Sequence, residues 1–154
     1  MANLYDPIEA TIEIAAPQDQ VWRVVSDLRA MPRWSPQVAK TLIRGPIREG
    51  AKMVNINKEG LKIWPTTAKV TRFEPRRDVA FRVKENWAEW SFTLEPTADG
   101  SGTKVTHRRE TPKGTTKVSQ KLVDRFFGGA EKFRNHLESG MNQTLQRMKQ
   151  SIER

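Results

Sequence analysis

The chain begins with a regular alternation of apolar and polar residues. Residues 8–15 place Ile8, Ile12 and Ile14 on one side and glutamates with a threonine on the other. A period of two is typical of a strand with one buried face. The first element is therefore predicted to be a strand.

Two short helices are predicted after this strand. Pro17 suits the first turn of a helix, and apolar residues recur at helical spacing over residues 21–28. Residues 31–36 read MPRWSP, with a proline on either side of Trp34. This pattern predicts a short helical turn followed by a break rather than a long element.

The middle of the chain has the pattern of short strands joined by tight turns. Turn sequences such as Glu59-Gly60 and Asp99-Gly100 separate the apolar stretches. Their order indicates an antiparallel meander with one face in water. The predicted strands cover residues 38–44, 52–58, 61–73, 79–84, 87–95 and 103–111.

A long amphipathic helix is predicted for the C-terminal part of the chain, after Pro112 and Gly114. Gly128-Gly129 interrupts the pattern near its start and predicts a kink or a boundary between two helices. The apolar residues are spaced by three or four, as on one face of a helix: Phe126, Ala130, Phe133, Leu137, Met141, Leu145, Met148 and Ile152. His136 is adjacent to this apolar stripe rather than on it, so it is expected at the surface.

The order of these elements predicts an α+β fold. A sheet of seven strands twists, and its apolar face must be covered by the apolar stripe of the helix. We therefore expect a curved sheet wrapped around the helix, with a hollow between them. Tryptophans at the rims of such a hollow often line a ligand site; the candidates are Trp34, Trp64, Trp87 and Trp90.

Composition narrows the class of protein. The 154 residues suit one domain spanning 1–154, and 36% hydrophobic with 29% charged residues is typical of a globular chain. No signal peptide or apolar run of membrane-spanning length is recognised, so a cytoplasmic location is expected. The absence of cysteine excludes disulfides and thiolate chemistry. Two histidines without clustered carboxylates give no metal signature, and no cofactor motif is found.

The net charge of +9 is concentrated in one segment. Residues 40–84 have a balance of +8, and the rest of the chain has +1. Such a segment can contact nucleic acid, an anionic membrane or an acidic protein, or it can be the solvated face of a sheet. Glutamates at 49, 59 and 74 interrupt it without an aromatic ladder, which disfavours nucleic acid and leaves transient contact with an anionic membrane open.

Four stretches of sequence resemble a known family. Residues 12–22 read IEIAAPQDQVW, residues 31–36 read MPRWSP, residues 73–82 read FEPRRDVAFR, and residues 90–107 begin WSFTLEP and end GTKVTH. In this order the chain resembles the START-like (SRPBCC) superfamily, in its polyketide cyclase/dehydrase branch of bacterial proteins. The resemblance implies a helix-grip (Bet v 1-like) fold whose cavity holds lipids, polyketides or steroids. It does not imply an enzyme, because members differ in function.

Two polar residues of the last strand are the main candidates for chemistry. His107 and Arg109 alternate with Val105 on the predicted inner face. His107 is a candidate general acid or base, or a lining residue with a satisfied hydrogen bond. Arg109 needs a partner, which is either a protein carboxylate or an acidic group of a ligand. No triad, paired carboxylates or phosphate loop accompanies them, so the sequence favours a binding protein over an enzyme.

Three functions are compatible with these patterns. The first is a carrier or sensor of a hydrophobic small molecule, with or without an acidic group. The second is a cyclase or dehydratase that uses His107, and the third is an interaction module that uses the basic sheet face. Oligomeric state stays open. The residues expected to contact a ligand are Trp34, Asn57, Trp64, Thr66, Phe81, Trp87, Trp90, His107, Arg109, Phe133, Leu137 and Met141.

Overall fold

An antiparallel sheet forms the larger part of the fold. The computed structural model describes residues 6–112, 121 and 129–154, and within them the sheet has seven strands in the order β1-β7-β6-β5-β4-β3-β2. The predicted meander is confirmed. The strands are β1 (Ile8–Ile14), β2 (Val38–Ile43), β3 (Lys52–Glu59), β4 (Lys62–Glu74), β5 (Asp78–Val83), β6 (Glu89–Pro96) and β7 (Thr103–Glu110).

The predicted strand ends agree with the structure to within one or two residues. The largest difference is at Trp87, which was expected to begin a strand but lies in the turn before β6. Its φ of 60° is in the left-handed region, which a strand cannot contain. The Asn86 side chain accepts a hydrogen bond from the Ala88 amide at 2.9 Å, and this local turn displaces the start of the strand.

The two short helices are confirmed, with a further 3₁₀ turn between them. Helix α1 spans Gln18–Val25, the turn spans Leu28–Ala30, and α2 spans Met31–Trp34. Pro17 is the N-cap of α1 rather than part of its first turn. The proline has no amide hydrogen to leave unpaired at this helix end, so it is well placed there.

The C-terminal helix, α3, spans Ala130–Ile152 and packs most closely on β1. Gly129 is its N-cap, with a φ of 100°, so this helix begins at the predicted Gly128-Gly129 interruption. Arg134 donates to the backbone carbonyl of Pro7 at 3.2 Å, and Lys149 donates to that of Glu13 at 2.7 Å. These two hydrogen bonds attach α3 to both ends of β1. Phe126, predicted to lie on the helix, and Gly128, predicted to lie at the interruption, are outside the described residues.

The core lies between the inner face of the sheet and the helices. Val105, Phe92 and Val70 come from the sheet, and Leu145 and Met148 from α3, and all of them are fully buried. The arrangement is a helix-grip fold, as expected. In the part of the chain that the structure describes, no helix is both long and apolar enough to span a membrane.

The outer face of β4–β6 carries a network of ion pairs. Arg72 lies between two carboxylates, with its Nε 2.5 Å from Asp78 and its Nη1 2.7 Å from Glu89. Glu89 is buried and also faces Arg82 at 3.3 Å. Hydrogen bonding to Asp78 is the main cause of a raised pKa at Arg72, with attraction to Glu89 adding to it. These charges are therefore satisfied within the protein.

Candidate functional site

A cavity of about 140 Å³ lies between the inner face of the sheet and α3. The turns between β3 and β4 and between β5 and β6 lie at one end of the sheet, and the cavity is near that end. Glu59 and Asn86 line it there. The walls elsewhere are mainly apolar, as expected for a small-molecule site.

Ten of the twelve residues expected to contact a ligand line this cavity. They come from five strands and from α3, so the fold gathers them from positions distant in sequence. Their contact with a ligand stays a prediction. The ten are Asn57, Trp64, Thr66, Phe81, Trp90, His107, Arg109, Phe133, Leu137 and Met141.

Two tryptophans of the expected set do not line the cavity. Trp34 is buried in the core at the end of α2, where its backbone carbonyl accepts a hydrogen bond from Arg147 at 3.3 Å. Trp87 is 45% exposed, because the left-handed turn takes it out of the strand alternation. Their placement in the cavity wall is corrected: one is a core residue, and the other lies on the surface.

Arg109 is the most unusual residue of the cavity wall. It is 4% exposed, and it is the register partner of Trp90 on the neighbouring strand. Its Cζ lies 5.7 Å from the ring centroid of Trp90 and 5.4 Å from that of Phe133. Both distances suit cation–π attraction, so the two rings fix the guanidinium in place.

No carboxylate among the described residues pairs with Arg109, and its buried Nε has no hydrogen-bond partner there. Burial lowers the pKa of Arg109 to about 10, and the positive charge of Arg134 acts in the same direction. The side chain is still protonated at neutral pH. A cation removed from water without an anion is energetically costly. Among the described residues, Arg109 is such a buried cation without a carboxylate partner.

His107 lines the cavity two residues before Arg109 and on the same face of β7. Its Nδ1 lies 2.9 Å from the Ser91 carbonyl, which can only accept, so Nδ1 carries the proton and Nε2 is left as an acceptor. The ring stacks on Phe92 with centroids 3.9 Å apart and planes at 2°. Burial lowers the pKa of His107 to about 4, so the imidazole is neutral at pH 7.

Polar groups of β3 and β4 line another part of the cavity wall. The Asn57 amide donates to the Trp64 carbonyl at 3.2 Å and to the Thr66 hydroxyl at 2.9 Å. Asn55, farther along β3, accepts a hydrogen bond from the Thr41 hydroxyl of β2 at 2.8 Å. These bonds keep polar side chains satisfied while they face an apolar space.

Sequence reasoning missed a histidine of this site. His136, which was expected at the surface, has a side chain that is 40% exposed and also lines the cavity, with its Nε2 2.5 Å from Glu59 Oε2. This contact joins α3 to the β3–β4 turn. The signal was present in the spacing, because His136 follows Phe133 by three positions and so lies on the same side of the helix.

The backbone of α3 approaches the opposite wall closely at Gly140. A Cβ atom there would lie 3.1 Å from the Gln37 side-chain amide. Gly140 therefore leaves room for Gln37, and both residues line the cavity. Neither was expected from the sequence, because a single glycine inside a helix gives no indication of what packs against it.

A second hollow, of about 850 Å³, is formed by the loop between β2 and β3. Arg44, Arg48 and Lys52 line it, together with other residues of this one segment. It is an open surface depression rather than a chamber between layers of the fold. Within the described ranges, no group of three histidine or acidic residues could hold a metal ion.

Comparison with known proteins places this cavity in a recognised fold. Residues 7–153 match the family model described as polyketide cyclase / dehydrase and lipid transport. The solution structure of the polyketide-cyclase-like protein Cgl2372 from Corynebacterium glutamicum is similar at 30% identity and a TM-score of 0.64. The match covers 96% of this chain and 91% of that protein. Among curated proteins, no significant match was found.

Two more distant structures share the fold. The Zhui aromatase/cyclase from Streptomyces sp. R1128 has 17% identity and a TM-score of 0.66, with 96% of this chain and 90% of that one covered. The di-domain aromatase/cyclase StfQ of the steffimycin pathway has 13% identity and a TM-score of 0.72. The match covers 96% of this chain and half of StfQ, 50%. At these identities the likeness concerns the fold alone.

Proposed function

The chain belongs to the polyketide cyclase / dehydrase and lipid transport family, and from this premise we propose that it binds a hydrophobic small molecule bearing an acidic group. The ligand occupies the cavity between the sheet and α3. The protein acts as a carrier or sensor rather than as a catalyst. The first function considered from the sequence is thus the one that the geometry supports best.

The observation that carries this proposal is the buried positive charge of Arg109. Among the described residues no carboxylate neutralises it, and two aromatic rings hold it in the cavity wall. Of the two partners considered from the sequence, a protein carboxylate is therefore the less well supported. A carboxylate or similar anion of a ligand would form charge-assisted hydrogen bonds with the guanidinium.

The remaining walls indicate the rest of the ligand. Phe81, Leu137 and Met141 provide apolar contact area, and His107 offers Nε2 as a hydrogen-bond acceptor. The cavity of about 140 Å³ is similar in size to engineered cavities of about 150 Å³ that bind benzene. In this conformation it accommodates about one aromatic ring, and larger ligands require the side chains of the walls to move.

A second candidate function is a cyclase or dehydratase that uses His107. In its favour, the unprotonated Nε2 belongs to a cavity-lining imidazole close to a cation. Against it, a pKa lowered to about 4 makes the imidazole a weak base at pH 7, since general bases work best with a pKa near the operating pH. The geometry therefore favours binding over turnover.

Native mass spectrometry tests the proposal. The purified protein is incubated with a mixed lipid and polyketide extract, washed and measured, and the released compounds are compared with those in the untreated extract. We expect one acidic, apolar compound per chain, released unchanged in mass, and none with Arg109→Met. Release of a compound lighter by one water would instead support a dehydratase, and an empty wild-type protein would contradict ligand binding.

A further inference from the structure

The hairpin of β3 and β4 exposes apolar side chains at its tip. Leu61, in the turn, is 103% exposed, and Ile63 is 70% exposed. Apolar residues of this size usually bury most of their surface. Two exposed ones close together on a projecting turn indicate a contact site. These two residues, with the adjacent basic Lys58, are called the hairpin tip below.

The hairpin tip projects beyond the rest of the sheet. β4 pairs with β3 from Lys62 onward, but its register with β5 begins only at Ala68. Several residues of β4 at the tip thus have a neighbouring strand on one side only. The tip can therefore contact a flat surface without hindrance from β5.

Positive charge surrounds the exposed apolar residues. Lys58 is the register partner of Ile63, so both side chains lie on the outer face of the hairpin. Farther along the same face, Lys52 pairs with Lys69, and both are exposed. Two acidic side chains of this region have partners: Glu85 accepts hydrogen bonds from the amide and hydroxyl of Thr67 at 2.7 Å, and Glu59 lies 2.5 Å from His136.

We propose that the hairpin tip docks on an anionic lipid bilayer, with Leu61 and Ile63 entering the interface and Lys58 meeting the lipid headgroups. In such a surface, apolar side chains can enter the boundary of the acyl chains, and lysines are attracted to the anionic headgroups. A second copy of this chain would bring two positive faces together. Nucleic acid would give the aliphatic side chains no partner, because bases are bound by aromatic stacking.

Docking at this position would have a consequence for the cavity. The same hairpin contributes Asn57, Glu59 and Trp64 to the cavity wall. A bilayer at the tip would therefore lie close to the end of the cavity where a hydrophobic ligand could be exchanged. The docking itself does not depend on the proposed ligand, so the two proposals can fail separately.

Vesicle co-sedimentation tests the proposal with ligand-free protein. The probes are vesicles of phosphatidylcholine alone and of phosphatidylcholine with phosphatidylserine at about three to one, in about 0.1 M and about 1 M salt. We expect binding to the anionic vesicles at low salt, and little binding in the other three conditions. Circular dichroism verifies that each variant is folded.

The variants separate insertion from simple charge attraction. Leu61→Ser with Ile63→Ser should weaken binding to anionic vesicles by about tenfold or more, because two apolar side chains no longer leave water. Lys58→Gln should weaken it by about fivefold. Leu42→Ser is the matched control and should bind as wild type. Leu42 is 48% exposed, but its register partner Val54 is about 13 Å along β3 from Lys58.

Three results would overturn the proposal. The first is no binding of the wild type to anionic vesicles. The second is equal binding by the wild type and the double serine variant, which would mean that the basic face acts without the tip. The third is preferential binding of an RNA oligonucleotide over the vesicles at low salt, which would identify the basic face as a nucleic-acid surface.

Discussion

Two arginines on opposite faces of the same sheet have opposite surroundings. Arg72, on the outer face, contacts Asp78 and Glu89, and hydrogen bonding to Asp78 raises its pKa. Arg109, on the inner face, contacts aromatic rings and no carboxylate of the described residues, and burial lowers its pKa to about 10. Among the described residues, Arg72 thus has two carboxylate partners although its side chain is 42% exposed, and the buried Arg109 has none.

This difference distinguishes a charge paired within the protein from one for which we propose a ligand as the partner. A network such as that of Arg72 stabilises the fold, because removing one member leaves a buried partner such as Glu89 uncompensated. An isolated buried cation destabilises the fold, and its presence is explained if a ligand supplies the missing anion. The predictions below test this distinction, from the largest expected effect to the smallest.

Replacing each arginine by methionine should change stability in opposite directions. Arg72→Met should lower the free energy of unfolding by about 2 kcal/mol, a value reduced from that of a fully buried pair because Arg82 remains near Glu89. Arg109→Met should raise it by about 1 kcal/mol, because an unpaired charge is replaced by an apolar side chain of similar length. Urea denaturation of the ligand-free proteins measures both.

A loss of stability in both variants would contradict the comparison. It would mean that Arg109 has a partner inside the protein. Unchanged m-values in the two variants are the control, because they show that both unfold from equally compact native states.

The neutral state of His107 should make stability depend on pH. The pKa of the imidazole is about 4 in the folded protein and 6.5 in the unfolded chain, so the unfolded chain binds more protons between these values. Stability that is fully present above pH 6.5 is lost as the pH falls toward 4. Between about pH 7 and about pH 5 the loss should be about 2 kcal/mol.

Urea denaturation of His107→Phe at both pH values provides the control. Phenylalanine keeps a ring against Phe92 but cannot titrate, so this share of the pH dependence should disappear. If wild type and variant lose the same stability on acidification, the imidazole is not held neutral by burial.

The two tryptophans near the cavity end of the sheet should differ in ligand binding. Trp90→Leu should weaken the binding of benzoate by about tenfold, because Arg109 loses one of the rings that hold it. Trp87→Leu should change the affinity by less than about twofold, because Trp87 lies outside the cavity. Fluorescence titration measures both affinities. Equal losses of affinity in the two variants would mean that Trp87 also contacts the ligand.

The fold could be predicted almost completely from the sequence. The alternation in Ile8–Ile14 has the period of a strand, and the apolar stripe of α3 has the period of a helix. Few packings of a sheet and a helix bury both of these apolar faces. The errors fell where local chemistry overrides the period. Trp87 follows a turn made by its neighbour Asn86, and Leu28 belongs to a 3₁₀ turn rather than to the end of α1.

The candidate site could be predicted only in part. Strand alternation placed His107 and Arg109 on the inner face, and the structure agrees. The His136–Glu59 contact and the approach of Gln37 to Gly140 depend on how α3 crosses the sheet. No local pattern encodes that geometry. Whether Arg109 has a protein partner is likewise a question of three-dimensional neighbours, which composition and spacing do not contain.

The most direct test of the central claim is a calorimetric comparison of two one-ring ligands, one with a carboxylate where the other has a methyl group. Benzoate and toluene are titrated into the wild type, Arg109→Met and the control Arg72→Met. We predict that Arg109→Met weakens benzoate binding by about 10- to 100-fold and leaves toluene binding unchanged, while Arg72→Met binds both as the wild type does. Equal losses for both ligands in Arg109→Met, or no loss for benzoate, would contradict the account.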